Sequence, residues 1–562
     1  MRERAGTRIE YAQRPRRTSL TVLVAAAGAA AALLVATPTD AAPLAGASVT
    51  AATARPETAV RGIDVPGVDV GDQASAMRTS GRQLVARLPQ RATSDFGLVA
   101  LTWAKDSAPA DTEVEVRTHG DRGWSGWHEL HVHPGEEPAP SEVTADVRDG
   151  TEPLWVGDAD GVGARVFSAH DTGPRDIEVT LVDPGDSQAL SGSTSTSTTA
   201  STSAGSTRRP RLVSRRGWGA DPRLTSRCDR PRRAKTVQMT FVHHTVGTNN
   251  YRRSESRSIV RGIYAYHTQG RGWCDIGYNF LVDRYGTAFV GRRGGPNVPV
   301  RGAHAGDYNL RTVGVSLMGN FEKARPTRAM KRKLTHLLAW KLSSYYRYPH
   351  TKARVAGRTF EKISGHRDAM ATACPGRFVY RWLPRLRDRV VNRAGRIETP
   401  ISRKWQRMRR NGTRIGQPYR GEAGAPKGGR KTLFGRGRGW IFWDDGPGAH
   451  AVLRGPISTR YRKYGRAAGR LGYPRTDRWQ IKGHRGSGQT FQRGRIYRTP
   501  RHGAVAIWGR VNRRYGQEGL AGGRLGVPVR NQYRVSSGWR GRFQHGWITW
   551  NTSTGRTSVR YF

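Results

Sequence analysis

The chain has 562 residues and a formal net charge of +52 at pH 7, from 95 Lys and Arg against 43 Asp and Glu. This length excludes a single hydrophobic core and predicts about three globular parts joined by linkers. The charge is uneven, because residues 51–190 contain 24 acidic and 12 basic residues whereas residues 401–562 contain 5 acidic and 36 basic ones. The parts of the chain are therefore expected to have different partners.

The basic C-terminal region is compatible with three interpretations. Such charge is typical of nucleic-acid binding, it equally suits an acidic polymer such as a cell wall rich in phosphate and carboxylate, and it also arises by drift toward Arg codons. Drift alone would also have made residues 51–190 basic, and they are acidic. The sequence contains no nucleic-acid-binding motif. We therefore favour an acidic wall polymer as partner and expect no nucleic acid.

Residues 1–42 have the pattern of an export signal. Six Arg residues precede Ser19, residues 20–36 are apolar and small, and Thr39-Asp-Ala-Ala42 provides a small-residue cleavage site. The apolar run is short and Ala-rich, which disfavours a membrane span; a retained anchor and a twin-arginine export route both stay open. The sequence predicts a secreted protein with no stable membrane insertion after signal removal.

Residues 43–186 are expected to form a β-sandwich-like domain. Alternating runs at 98–103, 113–118 and 177–182 lie between clusters of Gly, Pro and Asp, which is typical of short strands packed in two β layers. Residues 191–206 are almost entirely Ser, Thr, Ala and Gly, so they cannot bury a core. A flexible linker is therefore predicted over 187–209.

Residues 210–395 show the alternating pattern of an α/β domain. Residues 237–243 predict a strand that ends at His243-His244, and a helix is expected after Ser254 as N-cap. Residues 280–282 and 287–290 predict a hairpin, 313–318 another strand, and the apolar stripe after Thr327 a long helix. A mixed central sheet with flanking helices follows from this order.

Residues 396–562 contain a unit that occurs three times. Ile401-Ser-Arg-Lys-Trp405, Ile457-Ser-Thr-Arg-Tyr461 and Val511-Asn-Arg-Arg-Tyr515 align at spacings of 56 and 54 residues. The segments Ile415-Gly-Gln-Pro418, Leu471-Gly-Tyr-Pro474 and Leu525-Gly-Val-Pro528 resemble the LGFP repeats of bacterial cell-wall proteins. Fixed periodicity predicts stacked β-rich repeats, and the resemblance implies that they bind the cell wall.

Two histidines and a cysteine form the candidate chemical centre. Catalytic zinc sites use three protein ligands among His, Cys and carboxylates and leave a fourth position for water. Phe241-Val-His-His-Thr245 ends a predicted strand, while Ser364-Gly-His-Arg-Asp368 and Thr372-Ala-Cys-Pro-Gly376 place a His and a Cys eight residues apart. By spacing alone this is a weak pattern, because most such groups are ordinary core or surface residues.

The stretch 211–393 resembles the family of peptidoglycan recognition proteins and zinc amidases. The resemblance is specific, because short matching segments follow one another in the family's order along the whole stretch. The segments are Arg216-Gly-Trp-Gly-Ala220, Phe241-Val-His-His-Thr245, Ile276-Gly-Tyr-Asn-Phe280, Gly302-Ala-His304, Val313-Gly-Val-Ser316, Gly365-His-Arg-Asp368 and Cys374-Pro-Gly376. The resemblance implies an α/β amidase domain.

The resemblance also implies roles for individual residues. His243, His366 and Cys374 take the positions of the Zn²⁺ ligands, Tyr278 takes that of the catalytic tyrosine, and Thr372 falls where relatives place a catalytic Lys or Thr. The residues expected at the substrate are His244, Thr245, His304, Asn309 and Arg367. No carboxylate is identified as general base, although Glu361 lies five residues before His366.

The chain has three cysteines, so three disulfide pairings are open, and in an oxidising compartment one thiol is left free or on a metal. The resemblance places Cys374 on zinc and leaves Cys228 and Cys274 to pair. This disulfide would close a loop of about 46 residues and contribute about 4 kcal/mol.

The resemblance implies a secreted, wall-associated, zinc-dependent N-acetylmuramoyl-L-alanine amidase. Zn²⁺ polarises a carbonyl and lowers the pKa of bound water from about 15.7 to about 7, and Tyr278 would donate to the developing oxyanion. The alternative is a recognition protein that binds peptidoglycan without cutting it. Binding-only members of the family lack the cysteine ligand, so Cys374 together with Tyr278 favours the enzyme.

Overall fold

The first part of the protein is an antiparallel β domain. The structure, a computed structural model, describes residues 57–68, 82–132, 138, 142–170, 172–185, 207–225, 230–395 and 397–562. The strands of this domain are β1 (Ala59–Asp64), β2 (Gln83–Ala104), β3 (Glu113–Gly120), β4 (Gly123–Trp124), β5 (His128–Leu130), β6 (Arg148–Gly150), β7 (Leu154–Ser168) and β8 (Glu178–Asp183). The three predicted strands lie in β2, β3 and β8.

These strands are joined in one hydrogen-bonded, eight-stranded sheet. Its main order is β1-β8-β2-β7-β3-β4, with β5 paired to β3 and β6 paired to β2. The pairing of β2 with β7 shifts register at four points, between Leu84 and Leu98. Because such irregularities bend and twist a strand, a continuous sheet can enclose the core of this domain, which includes Val99, Val116 and Val166.

The middle of the chain folds as the predicted α/β domain. Its strands are β9 (Met239–His244), β10 (Phe280–Val282), β11 (Ala288–Val290), β12 (Thr312–Leu317), β13 (Lys352–Val355), β14 (Arg358–Glu361) and β15 (Ile363–Gly365). Its helices are α1 (Arg215–Trp218), α2 (Ser256–Ala265), α3 (Arg328–Ser344), α4 (Arg377–Tyr380) and α5 (Leu383–Ala394). The central sheet has the order β11-β10-β12-β9-β15, and β13 and β14 form a separate hairpin.

Strand direction in the central sheet determines where the site can lie. Strand β9 is parallel to both β12 and β15, and only β11 runs antiparallel to its neighbour. The last residue of β9 is His244, and β15 ends at Gly365, directly before His366. Parallel strands end at the same edge of a sheet, so the two sequence motifs meet there although 123 residues separate His243 from His366.

Helix α3 begins as predicted, whereas α2 differs in its start and its end. The Thr327 side chain accepts a hydrogen bond from the Met330 N–H and caps α3. The cap of α2 is Glu255 instead of Ser254, and α2 continues into a π-helical turn, Tyr266–Gly270. Such turns occur frequently at functional sites, and this one leads into the segment that carries Tyr278.

Each C-terminal repeat consists of a helix and a four-stranded antiparallel sheet. The helices are α6 (Pro400–Arg410), α7 (Pro456–Lys463) and α8 (Gly509–Gln517). The strands are β16 (Ala423–Gly424), β17 (Arg430–Phe434), β18 (Gly439–Asp444), β19 (Gly448–Leu453), β20 (Trp479–Gln480), β21 (Ser487–Phe491), β22 (Gly494–Thr499), β23 (Gly503–Trp508), β24 (Pro528–Val535), β25 (Gly538–Phe543), β26 (Gly546–Asn551) and β27 (Thr557–Tyr561). Tyr461 of α7 packs with Phe442 of one sheet and Phe491 of the next, so neighbouring repeats share a core.

The first repeat is attached to the α/β domain by a buried polar cluster. The Glu422 N–H donates to the Ser344 carbonyl (2.9 Å), and the Glu422 carboxylate accepts from the hydroxyls of Tyr346 and Thr399 (both 2.7 Å) and pairs with Arg430. Glu422 is buried. A buried carboxylate needs such partners, so these contacts fix the first repeat in place.

Several sequence predictions lie outside the described residues. These are the signal at 1–42, most of the linker at 187–209, and Cys228, so the disulfide with Cys274 stays a prediction. Of the linker, only 207–209 are described, and the Arg208 carbonyl accepts from His336 Nε2 of α3 (2.9 Å). Among the described residues, no helix has the length and apolar character needed to cross a membrane.

Candidate metal centre

His243, His366 and Cys374 meet in one buried group. One ligand atom from each residue lies within 4.8 Å of the other two, and the distance from Cys374 Sγ to His243 Nδ1 is 3.7 Å. Both histidines are 0% exposed and Cys374 is 1% exposed. The Cys374 thiol is not in a disulfide.

The loop after β15 folds back so that Cys374 approaches His366. The Arg367 N–H donates to the Cys374 carbonyl (2.9 Å), and the Cys374 N–H donates to Thr372 Oγ1 (3.1 Å). The His244 N–H points at Cys374 Sγ (3.4 Å). These bonds bring together the residues that the sequence places on two separate motifs.

The donor set of this group fits a zinc ion. Two imidazole nitrogens and one thiolate are ligands that Zn²⁺ prefers, whereas Ca²⁺ and Mg²⁺ need carboxylate and carbonyl oxygens. The group contains no carboxylate. Three protein ligands are also the number found in catalytic zinc sites, where the fourth position is kept for water or substrate.

His304 fixes the orientation of His243. The His304 Nδ1 atom lies 3.1 Å from His243 Nε2, on the side of the ring away from the Nδ1 atom that faces Cys374. His304 is fully buried, and its backbone N–H donates to Asn309 Oδ1 (2.8 Å). Metal-binding histidines commonly use their second nitrogen in this way, which sets the tautomer of the ring.

Tyr278 lies beside the three-residue group. Its ring centroid is 5.5 Å from that of His243 and 5.9 Å from that of His267. The Tyr278 carbonyl accepts a hydrogen bond from the Arg292 N–H (3.0 Å), which holds this residue against the segment that follows β11. Tyr278 is therefore placed where its hydroxyl can act in the same site as the three-residue group.

His267 is buried and packs beside Trp273. Its ring stacks on Trp273 with centroids 4.6 Å apart, and its Nδ1 atom accepts from the Gly277 N–H (3.2 Å). Because Gly277 precedes Tyr278, His267 also supports the backbone of the segment that carries the tyrosine.

The other predicted site residues surround this group and make structural hydrogen bonds. His244 Nδ1 accepts from the Phe321 N–H (3.2 Å), and Thr245 Oγ1 accepts from the Gly319 N–H (3.0 Å). Asn309 Oδ1 accepts from two backbone N–H groups, those of His304 and Ala305. His244, Thr245 and Asn309 are buried, and their substrate contacts stay predictions.

Arg367 and Thr372 lie on the loop that carries Cys374. The Arg367 guanidinium is 2.8 Å from the Glu322 carboxylate and also donates to the Ala373 carbonyl. Thr372 accepts from the Cys374 N–H. Both side chains are partly exposed, so they border solvent beside the buried group.

Met370 is a neighbour of His366 that the sequence did not indicate, and Glu361 does not lie in the group of His243, His366 and Cys374. Met370 Sδ lies 3.2 Å from His366 Nε2, and no spacing rule points to this contact. Glu361 is in β14, and its carboxylate is 3.8 Å from Lys352 Nζ on the neighbouring strand of the hairpin. Glu361 is therefore engaged on the hairpin and is not part of the group formed by His243, His366 and Cys374.

Three parts of the chain match known families. Residues 233–377 match the N-acetylmuramoyl-L-alanine amidase family. Residues 38–192 match the family described as Rv3811 N-terminal galactose-binding domain-like, and residues 471–523 match the LGFP repeat.

Similar proteins align with the middle of the chain. Peptidoglycan recognition protein 1 of Bos taurus is 33% identical over 171 residues, which are 30% of this chain and 80% of that protein. Peptidoglycan-recognition protein SC2 of Drosophila melanogaster is 31% identical over 167 residues, 29% of this chain and 80% of that protein. The solved peptidoglycan recognition protein-LE in complex with tracheal cytotoxin is 27% identical, covers 30% of this chain and 90% of that chain, and gives a TM-score of 0.26.

Proposed function

Because the chain belongs to the peptidoglycan recognition protein family of N-acetylmuramoyl-L-alanine amidases, we propose that it is a zinc-dependent peptidoglycan hydrolase. The bond cut is the amide between the muramic acid lactyl group and the first L-alanine of the stem peptide. The observation that carries this proposal is the buried group of His243, His366 and Cys374.

Each side chain of the site would have its own role in the reaction. His243, His366 and Cys374 would hold the ion, and bound Zn²⁺ would supply a Lewis acid for the carbonyl and a more acidic water. Tyr278 would donate its hydroxyl proton toward the oxygen on which negative charge develops, a contribution of about 3–4 kcal/mol for comparable donors. His304 would keep His243 in the tautomer that leaves Nδ1 available.

A recognition protein that binds peptidoglycan without cleavage is the alternative. Such a protein has no need of a complete ligand set, whereas this chain retains the cysteine and a tyrosine beside it. The cysteine is buried and free of a disulfide, which supports a role on a metal. We therefore retain the enzyme as the proposed function.

The repeats would bring this enzyme to its polymer. Arg470 stacks over Trp508 and Trp539, with its guanidinium 5.6 and 5.1 Å from the ring centroids, and Arg466 stacks over Trp440 (5.8 Å). The two arginines are exposed and the three tryptophans are half-buried, and such pairs suit sugar rings and phosphate groups. A secreted protein that binds acidic wall polymers through this region is proposed, because binding raises the local concentration of catalyst at the wall.

The proposal is tested by a variant that removes one ligand atom. Cys374→Ser should lose bound zinc and should no longer release stem peptides from purified peptidoglycan. Met370→Leu is the matched control, because Met370 contacts His366 but supplies no atom to the group. An active Cys374→Ser variant, or equal loss in both variants, would contradict the role given to the cysteine.

A further inference from the structure

The N-terminal β domain and the α/β domain share a hydrophobic core. Leu98, Trp155 and Val182 of the first domain pack in one cluster with Ile259 and Ile263 of α2. Domains joined by a large apolar interface do not move freely against each other. The N-terminal domain is therefore a fixed neighbour of the α/β domain.

Buried polar contacts reinforce this interface. Arg261 of α2 is 1% exposed, and its guanidinium donates to the carbonyls of Pro184 and Gly185 at 2.8 Å each. The Tyr266 hydroxyl donates to the Thr151 carbonyl (2.7 Å). Because breaking such contacts leaves buried polar groups without partners, separation of the two domains would be costly.

The N-terminal domain reaches the candidate site from two sides. At one side, the Thr144 N–H donates to the Gly272 carbonyl (2.8 Å), six residues before Tyr278. At the other side, Pro153 and Trp155 line a small cavity together with Thr245, which directly follows the two histidines of β9. The first domain thus borders both chain segments that supply His243 and Tyr278.

Glu142 makes the contact nearest to Tyr278. Its carboxylate is 3.4 Å from the Arg292 guanidinium, and the two side chains are 7% and 2% exposed. Its carbonyl accepts from the Cys274 N–H (3.0 Å), while the Arg292 N–H donates to the Tyr278 carbonyl (3.0 Å). Glu142 therefore holds the segment that precedes Tyr278 and also the residue that pairs with Tyr278.

We infer that the N-terminal domain forms a fixed wall of the amidase site, and that Glu142 is a positioning residue for Tyr278, acting through Arg292. This inference rests on the proposed function. Burial lowers the pKa of Arg292, and the Glu142 carboxylate is the strongest charge opposing that shift. Without the carboxylate, Arg292 is a buried cation lacking its nearest counter-ion, and we expect it to shift together with its backbone hydrogen bond to Tyr278.

The consequence for catalysis follows from geometry. A displacement of about 1 Å in a reacting group can cost about 10²-fold in rate. Glu142→Ala should therefore lower kcat on soluble peptidoglycan fragments by about 10- to 100-fold while KM changes little. Glu142→Gln keeps an oxygen acceptor at the same reach and should recover part of this loss.

Asp149→Ala is the matched control for the interface. Asp149 lies 3.7 Å from Arg271 across the same domain boundary but makes no contact with Arg292. It should keep kcat within about twofold of the wild type. In an Arg292→Gln background, Glu142→Ala should add no further loss, because the two residues act as one unit. Wild-type kcat in Glu142→Ala, or equal losses in Glu142→Ala and Asp149→Ala, would overturn the inference.

A cross-link tests whether the wall is fixed. A Cβ atom placed on Gly262 lies 3.5 Å from Leu98 Cβ, which is within the range for a disulfide. The oxidised Leu98→Cys, Gly262→Cys double variant should keep its activity. A loss of activity that reduction reverses in this variant, and that does not occur in wild-type protein treated in the same way, would overturn the inference. A folded, zinc-loaded wild type without amidase activity contradicts the proposed function, whereas an active wild type with an equally active Glu142→Ala contradicts this inference alone.

Discussion

The contact between His304 and His243 gives a direct test of the metal centre. Replacing His304 with Ala removes the ring nitrogen, Nδ1, that lies 3.1 Å from His243 Nε2. Replacing it with Asn also removes the ring but keeps an acceptor, Oδ1, close to the position of the lost Nδ1. The two variants differ in this hydrogen bond, and Ala also leaves the larger cavity, so the zinc-free stability of each variant is needed as a control.

The size of the effect follows from the surroundings of the ring. His304 is fully buried, and a Cβ atom on Gly302 or Gly314 would lie 2.2 or 2.4 Å from its Cδ2 atom, so the ring packs directly against two glycines. Loss of such an orienting partner typically costs about 10- to 100-fold in metal affinity. This range corresponds to about 1.4–2.7 kcal/mol.

The assay is a zinc competition titration against a chromophoric chelator. We expect His304→Ala to bind zinc about 10- to 100-fold more weakly than the wild type, and His304→Asn to fall between the two. Thermal unfolding of the zinc-free proteins controls for the cavity. A folded His304→Ala variant with wild-type zinc affinity would refute the orienting role of this residue.

Three further predictions concern catalysis, pH and the wall. Tyr278→Phe should lower kcat on peptidoglycan fragments by about 10²–10³-fold with little change in zinc affinity; an unchanged kcat would remove Tyr278 from catalysis. Burial lowers the pKa of Lys341 to about 7, whereas the unfolded chain keeps that proton up to about pH 10.4. The unfolded state therefore binds more protons than the folded state between about pH 7 and 10. The free energy of unfolding of the wild type, measured by denaturant titration and compared with that of Lys341→Met, should rise by about 1.4 kcal/mol per pH unit in this range. A difference between the two proteins that does not change with pH would contradict this prediction. Arg466→Gln with Arg470→Gln should weaken sedimentation with intact walls and reduce its salt dependence, while kinetics on soluble fragments stay unchanged; equal loss on both substrates would reject a tethering role.

The centre of the α/β domain could be predicted from the sequence. The apolar run before His243, the long helix after Thr327 and the hairpin at 280–290 each carry a local periodicity or turn signal. Because parallel strands end at the same edge of a sheet, the motifs around His243 and His366 also had to meet once the strands were assigned. The buried group agrees with that expectation.

Contacts between domains could not be predicted in the same way. The apolar stripe of α2 indicates that Ile259 and Ile263 are covered, but periodicity cannot say that residues of another domain cover them. The Ser- and Thr-rich stretch predicted a flexible linker over 187–209, and the described domains on either side of it are packed together. The bond between Glu422 and Ser344 likewise depends on two segments far apart in sequence.

The role of each residue in the site was harder to predict from the sequence than its presence in the site. The resemblance placed His304 near the substrate, while the structure gives it a hydrogen bond to His243 and complete burial. Glu142 has no sequence signal at all, because its partner Arg292 lies 150 residues further along the chain. Both cases depend on tertiary geometry rather than on a motif.

The most direct test of the central claim is peptidoglycan digestion by the full chain, with soluble products identified by mass spectrometry before chelation, after chelation and after zinc is restored. We expect free stem peptides that begin with alanine, their loss on chelation and their return with zinc. Intact peptidoglycan that binds the zinc-loaded protein without releasing peptides would contradict the account and leave a recognition protein.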